Sequence, residues 1–120
     1  KIEFDDDKKV ITIITPEENK IVISDEDKSI LITDQSDNKF ELSDSGIVVD
    51  SPKDISFSAK GKISLDAMGE ISISSKADLK AAGMNIEHNA NVGLTSKGGA
   101  SAELSAGGNT TVKGAMVMIN

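Results

Sequence analysis

Apolar residues return every eight positions over residues 54–82. Within each unit the order is apolar, polar, apolar, as in Ile55-Ser56-Phe57 and Ile63-Ser64-Leu65. This alternation is typical of a strand with one buried face, whereas a helix would repeat with its own longer period. Small or turn-prone residues separate the units, for example Ala59-Lys60-Gly61. A short strand and a tight corner repeated at constant length predict a stacked β-coil.

The same rhythm continues through the rest of the chain after one irregular step. Ile86 follows Leu79 by seven residues, and Gly83 lies at this slip. Because glycine adopts the backbone angles that a bulge requires, we interpret the slip as a local irregularity in one continuous element. The apolar columns predict an inward-facing core made of Ile55, Phe57, Ile63, Leu65, Ile71, Ile73, Leu79, Ile86, Leu94, Leu104 and Val112.

The first fifty residues have a different sequence pattern, with short apolar runs and longer polar connections. Val10–Ile14 is the first clear strand, and further strands are predicted within residues 21–23, 30–32, 40–42 and 47–49. The connections are rich in Asp, Asn and Ser, which favour turns. This part is either the same coil with looser corners or a β-meander that leads into it. We therefore divide the chain into an N-terminal short-strand segment, 1–50, and a regular repeat segment, 51–120, and predict no helix.

Eight residues are too few to enclose a core. At about 3.3 Å per residue, one unit spans roughly 26 Å including its corner, which is one side of a coil. One chain could supply three successive sides, or three identical chains could each supply one side of every layer. The similarity of all the units favours three equivalent chains. The predicted fold is therefore all-β: an intertwined triple-stranded β-helix, or trimeric β-prism, preceded by a strand-rich segment.

Composition removes several functional classes. The chain has no Cys, which excludes disulfides and thiolate metal sites. Residues 1–54 carry 15 acidic and 7 basic side chains, and residues 55–120 carry 5 and 6, so the negative charge lies in the first half. An acidic chain without Arg is a poor nucleic-acid binder. No apolar run has transmembrane length, no signal peptide is recognisable, and the lack of an initiator Met leads us to expect a segment of a larger protein.

Few residues carry reactive chemistry. His88 is the one histidine and falls in an inward column; three copies could hold a metal or an anion, but a polar core layer is the favoured interpretation. The acidic runs at residues 5–7 and 25–27 lack the ligand spacing of a Ca²⁺ loop and are interpreted as solvated turns. The Gly pairs at 98–99 and 107–108 are corners. We predict no catalytic, cofactor-binding or metal-binding residue and no enzymatic activity.

The sequence Lys113-Gly114-Ala115-Met116-Val117-Met118-Ile119-Asn120 resembles the C-terminus of VgrG proteins, the trimeric spikes of type VI secretion and related contractile injection machines. Residues 45–55 and the eight-residue repeats are similar to the β-helical needle of that family, which contractile phage tail spikes share. The resemblance covers the chain from about residue 19 onward. The larger N-terminal hub of that family has no counterpart here, so its functions are not assigned.

The resemblance implies a homotrimeric, membrane-piercing spike shaft that contacts a target-cell envelope transiently. It would be assembled in the bacterial cytoplasm and then injected. It also implies that a PAAR-repeat tip protein or effector docks on an apolar tip consisting of Ala115, Met116, Val117, Met118, Ile119 and Asn120, although Met116 and Met118 could instead only close the core. Two alternatives remain open: a contractile phage or pyocin tail spike, and a single-chain β-solenoid surface adhesin or binding module.

Overall fold

Six β-strands, all within the first fifty residues, are the regular secondary structure of this chain in a computed structural model that describes residues 1–120. The chain forms two compact units, Lys1–Glu70 and Ile71–Asn120. No helix is present, so no helix could cross a membrane. The strands are β1 (Ile2–Asp5), β2 (Val10–Ile14), β3 (Lys20–Ser24), β4 (Ser29–Thr33), β5 (Lys39–Ser43) and β6 (Gly46–Asp50).

The strands form one antiparallel meander in the order β1-β2-β3-β4-β5-β6. Of the two organisations that the sequence left open for this segment, the meander is confirmed, and so is the all-β fold class. The five predicted strands lie within β2 to β6. The additional strand, β1, contains the short alternation Ile2-Glu3-Phe4-Asp5, which is only four residues long and therefore gives a weak periodic signal.

Four of the five turns contain a residue with left-handed backbone angles. These residues are Lys9, Glu18, Lys28 and Asp37, with φ between 52° and 67°. A left-handed residue at the end of a tight turn is a common way to close an antiparallel hairpin and restore the strand twist. The turns therefore hold each hairpin at one length, and the length of a hairpin loop fixes the pairing register of its strands.

The fifth turn is shorter and uses glycine. Ser43 pairs with Gly46 across a two-residue connection, and Gly46 has φ of 120°. Side chains with a Cβ rarely adopt this angle, so the glycine is required by the backbone. The Ser45 N–H donates to the Ser43 Oγ at 3.2 Å and closes the turn.

The chain beyond β6 makes no secondary structure of its own. From Pro52 to Asn120 every residue is exposed, and no backbone–backbone hydrogen bond forms within these residues. Ile63 and Leu65, which a single-chain solenoid would bury, are 57% and 75% exposed. A strand needs a neighbouring strand to satisfy its N–H and C=O groups, and one copy of this segment does not provide one. The boundary between residues 50 and 51 coincides with the end of β6 and stays a prediction.

Candidate trimer interface

One face of the six-stranded sheet is entirely apolar. Cross-strand partners lie on the same side of a sheet, and the register pairs apolar residues at every step, for example Ile13 with Ile21 and Ile32 with Phe40. We call this surface the apolar face. It consists of two residues from each strand: Ile2, Phe4, Ile11, Ile13, Ile21, Ile23, Ile30, Ile32, Phe40, Leu42, Ile47 and Val49.

The apolar face is uncovered within one chain. No hydrophobic residue of the chain is buried, and the single buried residue is Ser24. Even Ile30 in the middle of the sheet remains 39% exposed, and Ile47 remains 67% exposed. Folded proteins rarely leave a contiguous apolar patch of this kind in water unless it is an interaction surface. The sheet therefore needs a second layer that one chain does not supply.

The opposite face of the sheet is mixed in polarity. Its central row contains Glu3, Thr12 and Glu41 together with Val22, Leu31 and Val48, and the flanking rows contain Lys20 and Lys39 together with Val10 and Ile14. Antiparallel sheets often pack one face on a core and leave the other in water. The difference in polarity between the two faces therefore favours the apolar face as the inner side.

The apolar face continues into the first repeat unit. Ile55 borders the same open depression as Ile32, Phe40 and Val49, at the end of the sheet where the chain leaves β6. Ser51 helps to direct the exit, because its hydroxyl donates to Asn38 Oδ1 at 2.5 Å and its Oγ accepts the Lys53 N–H at 3.1 Å. The first residue of the predicted core is therefore placed beside the apolar face.

The predicted core residues of the repeats are all exposed in one chain. Their exposed fractions lie between 47% for Ile55 and 78% for Leu104. Within Lys1–Glu70 these residues are Ile55, Phe57, Ile63 and Leu65, and within Ile71–Asn120 they are Ile71, Ile73, Leu79, Ile86, Leu94, Leu104 and Val112. Their assignment to a shared core stays a prediction, because the packing it describes is between chains.

The predicted tip segment is also exposed. Met116 is 80%, Met118 is 86% and Ile119 is 93% exposed. The apolar side chains of this segment make no hydrophobic core of their own. Its role as a docking surface stays a prediction.

The structure does not bring reactive groups together in one chain. No group of three or more His, Cys, Asp or Glu side chains has metal-binding geometry, and His88 is exposed. Asp6, Asp7 and the acidic residues 25–27 lie in turns, whereas Asp5 is the last residue of β1. The Asp25 N–H donates to the Lys9 carbonyl at 3.1 Å.

The turn between β4 and β5 is organised around one carboxylate. The Asn38 side-chain amide donates to Asp34 Oδ2 at 2.8 Å, and the backbone N–H groups of Ser36 and Asn38 each donate to Asp34 Oδ1 at 2.9 Å. These hydrogen bonds favour the charged form and lower the pKa of Asp34, with the Asn38 side-chain amide as the largest cause. The residues fix the hairpin that presents Ile32 and Phe40 on the apolar face.

The sequence interpretation missed most of this interface, since it placed the core only in residues 55–112. The signal was present in the alternation of residues 10–14, 20–24 and 29–33, which puts alternate apolar side chains on one side. Recognising one continuous face required the antiparallel register, which the turns determine.

Residues 10–79 match the family of the phage baseplate V C-terminal trimerisation domain. This region contains β2 to β6 and the first repeat units, including Ile55 and Leu65. No match is found among curated proteins. The description of the matched family names trimerisation, and association between chains would cover the apolar face.

Proposed function

Because the chain belongs to the phage baseplate V C-terminal trimerisation domain family, we propose that it is the shaft of a membrane-piercing spike in a type VI secretion machine. The chain is a trimeric spike component of the phage-tail and VgrG kind. The assignment to secretion, and to the VgrG role within it, is supported by the resemblance of the terminal Lys-Gly-Ala-Met-Val-Met-Ile-Asn sequence to VgrG proteins.

The observation that carries the proposal is the unpartnered apolar face together with the exposed repeat columns. Three copies that turn their apolar faces inward would cover Ile13, Ile32 and Phe40 and leave Lys20 and Glu41 in water. Burying each large aliphatic or aromatic side chain is worth about 1.5–3 kcal/mol. The same association would supply the neighbouring strands that residues 51–120 lack.

The proposed mechanism is mechanical. Backbone hydrogen bonds between chains and stacked Ile, Leu and Val layers would give a shaft without a hinge, which transmits an axial force. Such a role needs no catalytic residue and no cofactor. In this role the protein assembles in the bacterial cytoplasm and is driven across an envelope with the machine that carries it.

The apolar segment at residues 115–120 is proposed to seat a PAAR-repeat tip protein or an effector. Methionine side chains adapt to the contours of a partner, and Met116 and Met118 are both exposed.

Two measurements test the proposal. Native mass spectrometry of the full chain should give a trimer, and a monomer at micromolar concentration would contradict it. Titration with a purified PAAR-repeat protein should give binding that is lost in a Met116→Asp/Met118→Asp variant and retained in Lys113→Glu. A trimer that does not bind the PAAR-repeat protein would be consistent with the proposed shaft but would contradict the proposed tip. That result would favour the phage or pyocin tail spike.

A further inference from the structure

We propose that the six-stranded sheet sets the register in which three chains enter the eight-residue repeats. This inference rests on the proposed trimeric shaft and assigns a separate task to its first fifty residues. The repeats would then form by propagation from the aligned sheets.

The first repeat units discriminate poorly between registers. Ile55, Ile63 and Ile71 follow one another at eight-residue spacing, so a slip of one unit replaces an isoleucine by an isoleucine. In the second column the slip exchanges Phe57, Leu65 and Ile73, which are all large and apolar. Register is strongly specified only where a shift moves apolar residues out of the core, and within residues 55–81 a slip of a whole unit does not do so. The seven-residue step from Leu79 to Ile86, which would oppose such a slip, comes only after these units.

The repeats also lack a structure that forms before association. Residues 52–120 are exposed and contain no backbone–backbone hydrogen bond within one chain. Each layer can therefore be stabilised only after three chains lie together, and each chain must lose its conformational freedom at that moment. A start from the first repeat units, residues 55–81, would have several nearly equivalent alignments and no preformed surface.

The sheet has the opposite properties. All six strands are paired within one chain, and the turns hold them in one register. Its apolar face is therefore preformed and can dock as one body. A docking shift of one strand would leave a sixth of the six-stranded face uncovered, and a shift of two strands would leave a third.

The apolar face is also irregular, which distinguishes one alignment from others. Its two rows each contain one aromatic residue, Phe4 on β1 and Phe40 on β5, and these lie in different rows. A shifted pair of faces would place both rings opposite the wrong partners. Because the chain continues from β6 to Ile55 beside Phe40 and Val49, aligned sheets would start the three repeat segments at the same residue.

A distance measurement between chains tests the register. The full chain has no cysteine, so Lys97→Cys with a nitroxide label reports one position in the repeats of each copy. Electron–electron double resonance should give a single interchain distance in this background and in the control Leu31→Asp, which lies on the opposite face. Ile32→Asp, on the apolar face, should give two or more distances. A single unchanged distance in a trimeric Ile32→Asp protein would overturn the proposal.

Refolding kinetics keep the proposal testable where Ile32→Asp fails to associate. In the milder variant Ile32→Ala, refolding of the full chain from denaturant should slow by about tenfold, because the contact is already made in the rate-limiting step. Leu94→Ala in the repeats should change the refolding rate by less than about twofold and mainly accelerate unfolding. The reverse pattern would overturn the proposal.

The two levels of inference fail separately. A monomer of the unmodified chain in native mass spectrometry would contradict both the proposed trimeric shaft and the proposed role of the sheet in setting the register. A trimer that shows several interchain distances without any substitution would contradict only the role of the sheet in setting the register.

Discussion

Ile32 and Phe40 are cross-strand partners between β4 and β5, yet 42% and 39% of their surfaces are exposed. Such a pair contributes roughly 0.2–1 kcal/mol by itself relative to an Ala pair. Covering the part of each side chain that is still exposed, about two fifths of it, contributes a further ~0.6–1.2 kcal/mol for each. This gain is at least as large as that of the cross-strand pair itself, which makes the pair a sensitive probe of association.

Phe40→Ala should destabilise the trimer strongly. Removing a fully buried phenylalanine side chain costs about 3–5 kcal/mol. In an uncovered sheet Phe40 is still 39% exposed, so the same substitution would cost clearly less. The two outcomes are far enough apart to decide whether the apolar face is covered. The measurement is the denaturant midpoint of the full chain at fixed protein concentration, since association makes the midpoint concentration-dependent.

Glu41→Ala is the matched control for Phe40→Ala. Glu41 is the next residue of β5 and lies on the opposite face of the sheet. We expect its midpoint to stay close to that of the unmodified chain. Equal and small effects of both substitutions would show that the apolar face remains in water, contrary to the proposed arrangement.

Asp34 should make the stability of the sheet depend on pH. Its pKa in the folded chain is lowered below the ordinary value of 3.8 by the Asn38 side-chain amide and the nearby backbone N–H groups. The folded state therefore favours the charged form, and this stabilisation is present above pH 3.8 and is lost as the pH falls through the lowered pKa.

The test compares the unmodified chain with Asp34→Asn, which keeps an acceptor oxygen and removes the charge. Chemical denaturation at neutral pH should show the larger difference between the two proteins. Below the folded pKa of Asp34 the difference should become clearly smaller, because the contribution of the charge is lost. A difference that is the same at both pH values would mean that the charge of Asp34 contributes nothing.

Low salt should destabilise the assembly through one end of the sheet. That end contains Asp5, the turns at residues 6–9 and 25–28, and Asp44, which together carry seven acidic and three basic side chains. Three copies would repeat this charge around one axis. Raising NaCl from about 20 mM to about 300 mM shortens the Debye length from roughly 20 Å to roughly 6 Å and weakens the repulsion. The melting temperature should therefore rise with salt.

Neutral variants separate this charge effect from general salt effects. Asp6→Asn/Glu26→Gln removes two charges from the acidic end, and the melting temperature should then rise less steeply with salt. Glu103→Gln, in the part of the chain where acidic and basic residues nearly balance, should leave the slope unchanged. Identical slopes in all three proteins would exclude repulsion at the turns.

How much of this fold is readable from the sequence depends on where the contacts are made. Val10–Ile14 and the other alternating runs predicted β2 to β6, because the two-residue period is a local property. The β5–β6 turn illustrates a local signal of the same kind, since Asp44, Ser45 and Gly46 are all turn residues. Strand β1 was not predicted, because a segment of four residues is too short to show a clear period.

The candidate interface was less accessible to sequence reasoning. The columns through Ile55 and Ile63 are visible because identical spacing repeats them, but the apolar face depends on which residues pair across neighbouring strands. That register follows from turns with left-handed residues at Lys28 and Asp37, where non-glycine residues give little warning of such angles. The partners of the repeat columns lie on other chains, so neither the sequence nor one copy of the chain defines their contacts.

Gly98→Ala should destabilise the repeat segment, whereas Gly99→Ala should not. A Cβ added at Gly98 would meet the Ser101 carbonyl oxygen at a separation shorter than any real contact, so the backbone of this corner must move. At Gly99 no atom lies within 4 Å of the added Cβ. Inserting a methyl group where there is no space costs about 1–3 kcal/mol, and in a homotrimer the strain occurs in every chain. Thermal melting of the full chain should show a clearly lower midpoint for Gly98→Ala than for the neighbouring control. Equal midpoints would show that the corner at residues 98–101 opens when the chains associate, so that the close approach within one chain is not kept in the assembly.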